Sequence, residues 1–508
     1  MKEAAIITSG GKLLDGFLSG PDSMRHRGVL RLGLVASAWT LGGVAIIVVG
    51  VSPKFGPLLL LGVLLMPLLL CSSIARFSFV LFGGLIAFQS SSHLSATKVG
   101  YLCACVGTAA ISSLHLRRTR RTKEITFALR GLSKPSVLVW AMLLLSAVVS
   151  NVQSSGISTT AWARDIVVYA LVPLLIPVAV DAGLSCRRPV LYLLTSFAAV
   201  FSSLNFAVTW LHHRSVSTLT VGQFGLSSAA LIGACFCVAV GLALRGAKYR
   251  AWWGALAVVL AGSVLLTGAR TGFILLLALA GLAGRKAAGG VSIARVVAVA
   301  LLVTTGLVVA IPLVANVTVS NKAFLSGRLR GMESVLSGHP SSGGSFEARL
   351  FEYREASAAW HSAPWLGVGA GFAFLVPTDS SPQFVGSSTL DTPLGILAKF
   401  GVLGTLLEVG YLGGLAGALR RIGRQAGRRG PAYLACRLFC VLFILELPFG
   451  GYIEDKGFPL ALMLLGALVV SEALAMSTRA RANQPGTHFA VPALPVTDSV
   501  YSSGVPQH

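Results

Sequence analysis

Arg270 stands in Thr267-Gly-Ala-Arg-Thr-Gly272, where flanking glycines let a backbone or a ligand approach closely. An arginine in such a turn either snorkels toward lipid head groups or receives an anion on its planar fork of donors. Further along, Phe346 to Trp360 carries Arg349 with Glu352 one turn on, and Arg354 with Glu347 on the other edge. Each pair can be an exposed ion pair, contributing about 0–1 kcal/mol, or a grip on a charged substrate. Arg214 beside His212 and His213 has the same two readings, an anion contact or a solvated surface. Gly367-Val-Gly-Ala-Gly371 has the composition of a phosphate loop, yet it follows no strand of a βαβ unit. With Pro364-Trp365 ahead of it, it reads as a turn. No HExxH, Walker lysine motif or metal-ligand spacing occurs. The cysteine pairs Cys103/Cys105 and Cys235/Cys237 suit neither a zinc knuckle nor a redox C-x-x-C.

The elements that must hold these groups are helices in a membrane. The chain has 508 residues, 54% of them hydrophobic and 12% charged, with a mean hydropathy of +0.78. Soluble domains carry about a quarter charged residues, so this chain lacks the polar surface to cover itself in water. Spanning helices need about 20 mostly apolar residues. Fourteen candidates begin near Gly33, Gly56, Phe77, Val99, Ser136, Ile166, Pro189, Leu226, Ala251, Thr271, Val291, Thr389, Pro431 and Pro459. Two of them are short, and the expected fold is therefore an all-α polytopic membrane protein of about 12–14 transmembrane helices.

The net charge of +23 follows the same organisation. After the N-terminal tail, basic clusters such as Arg117-Arg118, Arg187-Arg188 and Arg420-Arg421 fall after even-numbered spans. That alternation predicts both termini in the cytoplasm and removes the case for a nucleic-acid partner. It divides the chain into a tail (1–32), spans 1–11 (33–315), a large extracytoplasmic loop (316–388), spans 12–14 (389–476) and a Pro-rich tail (477–508) expected to be disordered. Within the loop, Phe346, Leu350, Tyr353, Ser357 and Trp360 share a helical face. Ser345 suits its N-cap and Pro364 its end, so the loop is expected to contain an amphipathic helix on the outer surface or capping the bundle.

Taken in order, these pieces resemble the O-antigen ligase and O-antigen polymerase (Wzy) superfamily. The resemblance rests on Ala269-Arg270-Thr271-Gly272, on Arg349 to Trp360, on Pro364-Trp-Leu-Gly-Val-Gly369, and on Leu390-Asp-Thr-Pro-Leu394 running to Lys399-Phe-Gly-Val-Leu-Gly404. It covers roughly Leu226 to Leu419. The family's histidine position is Leu390 here, with Asp391 adjacent, so ligase and polymerase are not separated. The resemblance implies a polyprenyl-diphosphate-linked glycan donor, a glycan or lipid acceptor among membrane lipids, and transfer at the outer face of a bacterial plasma membrane. It implies no metal and no cofactor, because the diphosphate is already a leaving group. Arg270 and Arg349 would neutralise the departing diphosphate, and Asp391 would serve as general base or cap the next span. Arg354, Arg214, His212 and Gly369 would contact substrate. A polysaccharide transporter or flippase, and a non-catalytic envelope assembly protein, are the alternatives.

Overall fold

A computed structural model describes residues 69–70, 72–88, 96–119, 130–152, 157–212, 228–245, 249–266, 344–376, 383–386, 393–425, 430–446 and 454–482. Among them the chain forms eleven helices and two short strands. The helices are α1 (Ser73–Ala87), α2 (Ala96–Thr119), α3 (Ser136–Val152), α4 (Thr159–Ser185), α5 (Arg188–His212), α6 (Ala229–Arg245) and α7 (Arg250–Leu266). After them come α8 (Gly344–Ser362), β1 (Ala373–Val376), β2 (Gln383–Gly386), α9 (Pro393–Gln425), α10 (Pro431–Glu446) and α11 (Phe458–Ala482). Five described helical stretches are long and apolar enough to cross a membrane: Lys98–Arg118, Arg130–Val152, Thr159–Ser185, Pro393–Arg424 and Phe458–Met476. The candidate spans near Gly33, Thr271 and Val291, most of the one near Gly56, the N-terminal tail and residues 483–508 lie outside the described residues. Residues 477–482, expected to begin a disordered tail, continue α11 as helix.

The helices form because their apolar runs must satisfy every backbone group internally once water is absent. They associate through small residues that let backbones approach closely. On α4, Gly183 faces α11, where a Cβ would come within 2.7 Å of the Ala467 carbonyl and 2.8 Å of Val470. Pro173 and Pro177 lie inside α4 without ending it. Pro173 has no N–H to give the carbonyl of Tyr169 four residues earlier, so a backbone acceptor is freed beside that residue.

One end of the bundle is held by buried charge. Arg76 and Asp181 are each 1% exposed and pair at 2.6 Å. Asp181 also accepts from Ser73 Oγ (3.0 Å) and Ser112 Oγ (3.1 Å) and lies 2.7 Å from His115 Nδ1, which ties α1, α2 and α4 together. Hydropathy places Arg76 among loop cations and gives Asp181 no clear partner. Both belong to one clamp.

Three further features depart from expectation. The loop helix, α8, starts at Gly344, one residue before its expected cap, and it docks on α9 through Ala356, flanked by Phe351 and Ala359, against Ala398 and Leu394. Tyr353, Ser357 and Trp360 of the expected apolar face are partly exposed, as are Phe351 and Ala359, and Ala356 is the buried residue of the helix at this contact. The region is not wholly helical either: β1 and β2 pair antiparallel with Phe374 opposite Val385 and Val376 opposite Gln383.

Finally, α9 is broken. Gly401 has φ 62° and ψ −170°, so residues 393–400 and 402–425 form two helical pieces. The turn after α8 lies in the break. Val368 N–H donates to the Ala398 carbonyl (2.8 Å) and Gly369 N–H to that of Lys399 (3.2 Å). In return, Val402 N–H donates to the Pro364 carbonyl (2.9 Å) and Leu403 N–H to that of Trp365 (3.1 Å). The approach leaves no room at Gly367, where a Cβ would stand 2.6 Å from the Lys399 carbonyl oxygen and where φ is +75°. Gly367→Ala should therefore lower the thermal midpoint of the detergent-solubilised protein, the backbone conformation alone costing about 1–3 kcal/mol. Gly107→Ala, whose Cβ would meet nothing within 4 Å, is the control expected to be neutral. Equal midpoints for the two variants would show that this docking does not exist.

Candidate functional site

The docked turn brings together groups from three helices at the end of the bundle away from Asp181. Lys399 occupies the last turn before the Gly401 break and is 1% exposed. Its Nζ lies 2.7 Å from both Glu454 carboxylate oxygens and 3.7 Å from Asp165 Oδ2. Asp165, near the start of α4, accepts the Gly371 N–H at 2.9 Å. Tyr169, one turn further, donates to Glu454 Oε1 at 2.9 Å and stands edge-on to Phe400 with ring centroids 5.2 Å apart. On α3, Ser150 Oγ donates to the Ala370 carbonyl at 3.3 Å. The turn 364–371 thus contacts α3, α4 and α9, and Lys399 lies at its centre.

A second layer of charge surrounds this centre. Asp455 caps α6, accepting Ala230 N–H (2.9 Å) and Gly457 N–H (2.9 Å). Burial pushes its carboxyl up, against those hydrogen bonds, a further one from Ser228 and the Lys456 charge. Burial likewise holds Lys456 below the usual lysine range, with Asp455 opposing and the Arg164 charge reinforcing the shift. Lys98 is buried and within electrostatic reach of Lys456. Helix geometry brings Lys98 and Arg164 to one level. The helices α2 and α4 run parallel, His115 meets Asp181 at an offset of 66 residues, and the same offset relates Lys98 to Arg164. The buried Nε of Arg164 has no hydrogen-bond partner among the described residues.

This end therefore assembles Lys98, Arg164, Lys399 and Lys456 against Asp165, Glu454 and Asp455. Two of the carboxylates face Lys399 and the third holds a helix end. The Arg164 guanidinium and the Lys456 ammonium, at the edge of the centre, are donor groups of the kind that receive an anion.

Of the residues singled out from the sequence, Gly369 is at this centre. It is buried with φ +95°, its N–H bonds the Lys399 carbonyl, and a Cβ there would meet Ser150 Oγ at 2.7 Å. Its observed contacts are with the protein itself. The backbone of Arg349 lies on α8, and Arg354 lies there exposed to solvent. The backbone of His212 ends α5. Arg270, Arg214 and Asp391 lie outside the described residues. Sequence reading missed Lys98, Arg164, Asp165, Lys399 and Glu454 as a group. The signal for Lys399 was available: a lysine inside Leu394-Gly-Ile-Leu-Ala-Lys-Phe400 is an ionisable residue in an apolar helix.

What the fold and site define is a helical, membrane-type bundle with a buried ionic centre and further charged side chains around it at one end. Compared with models of known protein families and with curated proteins, the chain matches none.

Removing Lys399 takes away the cation that lies between Glu454 and Asp165. Lys399→Met should destabilise the purified protein by about 3–5 kcal/mol. Adding Glu454→Gln should recover part of that loss, a coupling read from denaturation of the two single variants and the double. A Lys399→Met protein as stable as wild type would remove the ionic centre from this account.

Proposed function

We propose that the chain is a glycan transferase of the O-antigen ligase and polymerase kind. It would move a polyprenyl-diphosphate-linked glycan onto an acceptor hydroxyl at the outer face of a bacterial plasma membrane. The observation that carries this reading is the union of two separated motifs. Pro364 to Gly369 and Gly401 to Gly404 meet as paired backbone, and they meet near Arg164 and Lys456, whose donor groups suit a diphosphate. In this reading the site end faces outward, as the basic clusters at the other end require.

The chemistry is a displacement. The acceptor oxygen bonds the anomeric carbon, the bond to the diphosphate oxygen breaks, and polyprenyl diphosphate leaves with the electron pair. Arg270 and Arg349 take the main clamping role from the resemblance, with Lys98, Arg164 and Lys456 supplying further positive potential. Asp391 receives the hydroxyl proton. Lys399 and Glu454 act by holding the turn and the broken helix in register.

One observation favours the transporter reading instead. A broken helix with a buried carboxylate further along is a transporter feature, and Glu408 lies buried on α9 with Oε2 unpartnered among the described residues. The two readings separate in membranes from cells lacking the native protein, supplied with wild type, Arg270→Ala, Arg349→Ala, Asp391→Asn or Glu408→Gln at matched expression. For the transferase, the arginine variants lose surface glycan by about 10²–10³-fold and accumulate lipid-linked precursor on the outer leaflet. Arginine variants that behave as wild type, with Glu408→Gln trapping precursor on the inner leaflet, would replace this reading with transport.

A further inference from the structure

At the end of the bundle opposite Lys399, α9 and the next helix make a crevice that the transferase reading does not use. The two helices run antiparallel and touch closely near their connection, where the Tyr433 ring lies against Gly423. Away from that point they diverge and leave a cavity of about 580 Å³, within the range of about 300–1,000 Å³ typical of ligand pockets. Its α9 wall is made of Gly413, Ala416 and Gly417, and its α10 wall of Cys436, Cys440 and Val441. A Cβ on Gly413 or Gly417 would meet nothing within 4 Å, so these glycines leave open volume and are not required for contact with another described helix. The mouth is different in kind. Arg420 and Arg424 from α9 and Arg437 from α10 line it, all three exposed. Among the described residues no carboxylate lies within ion-pair distance of them, and Glu472 is buried with an oxygen 3.1 Å from the Tyr433 N–H. Arg437 is six residues into its helix, about 9 Å from the start along the axis, and so lies alongside the apolar walls of the crevice.

We infer that this crevice binds an anionic phospholipid, its phosphate held by Arg420, Arg424 and Arg437 and one acyl chain lying along Gly413, Ala416 and Gly417. Charge complementarity selects the occupant. A slot with apolar walls suits a hydrocarbon chain, and three guanidiniums at its mouth suit a phosphodiester that carries net negative charge, which a zwitterionic head group lacks. In the topology expected from the basic clusters, this end meets the cytoplasmic leaflet, where anionic lipids gather. Basic pockets between transmembrane helices on that side are suited to their head groups. The site does not depend on what happens at the Lys399 end.

The test uses the full chain purified in a neutral detergent and titrated with phosphatidylglycerol, with phosphatidylcholine of the same acyl chains, or with inorganic phosphate. Thermal midpoint and co-purified lipid are both read. Phosphatidylglycerol should raise the midpoint and co-purify, and the other two should do neither. Arg424→Gln with Arg437→Gln keeps the slot and removes charge; Gly417→Phe keeps the charge and fills the slot. Each should weaken phosphatidylglycerol binding about tenfold or more, equivalent to about 1.4 kcal/mol. An equal response to phosphatidylcholine, a response to inorganic phosphate alone, or a Gly417→Phe protein that binds as wild type would overturn the inference. So would a crevice filled by another part of this chain, in which case no lipid co-purifies and Gly417→Phe lowers the midpoint by itself.

Discussion

A helix broken inside a membrane must find partners for the backbone groups it frees, because hydrocarbon offers none. The geometry at Gly401 creates that need in α9, and the chain meets it with its own turn, two N–H groups donated in each direction between residues 364–369 and 398–403. Much of the architecture at this end follows. The turn must be glycine-rich, since Gly367 has no room for a side chain and Gly369 and Gly371 lie against Ser150 and Trp162. The preceding helix, α8, must end where it does, and its small face at Ala356 must lie against Ala398. A loop that would otherwise be free is thereby fastened to α3, α4 and α9.

The two ends of the parallel pair α2 and α4 carry opposite solutions to the same electrostatic problem. At one end Asp181 gathers Arg76, His115 and two serines, so that a buried carboxylate is fully surrounded by donors. A cluster of this kind fixes helix register and offers no outward field. At the other end Lys399 engages Glu454 and Asp165, and Lys98, Arg164, Lys456 and Asp455 lie around that pair, with Asp455 and Arg164 both acting on Lys456. Lys399 also follows Ala398 directly, so the residue that brings charge into this turn of α9 adjoins the one that receives α8. The asymmetry between the ends is what makes one a clamp and the other a candidate site.

How much of this is legible in the sequence depends on the range of the interaction. Hydropathy is local, and it places the starts of α2, α3, α5, α6, α7, α10 and α11 within a few residues of where they lie. Pairings across the bundle are not local. Asp181 meets Arg76 across 105 residues and Lys399 meets Glu454 across 55, and no periodicity records either. On α8 a stripe of large apolar residues points to one docking face, whereas a small alanine against another alanine gives the closer contact on a different one. The hairpin β1–β2 is four residues a strand, too short for alternation to stand out from its apolar surroundings.

The buried Lys399 pair is hard to explain by stability alone. Desolvating a lysine and a carboxylate costs several kcal/mol before their attraction offsets it, and an apolar pair of similar volume often does as well or better. A leucine and a methionine in those places would also fill the space between α4, α9 and the 454–457 turn. What they could not do is fix geometry: the Glu454 carboxylate is held by Lys399 on one side and Tyr169 on the other, so it ties the last turn before the break to α4. The Lys399 carbonyl, in the same residue, accepts from Gly369 in the docked turn. One residue therefore couples the position of the turn to the position of the charged rim, and orientation is the property that a site built on a broken helix needs most.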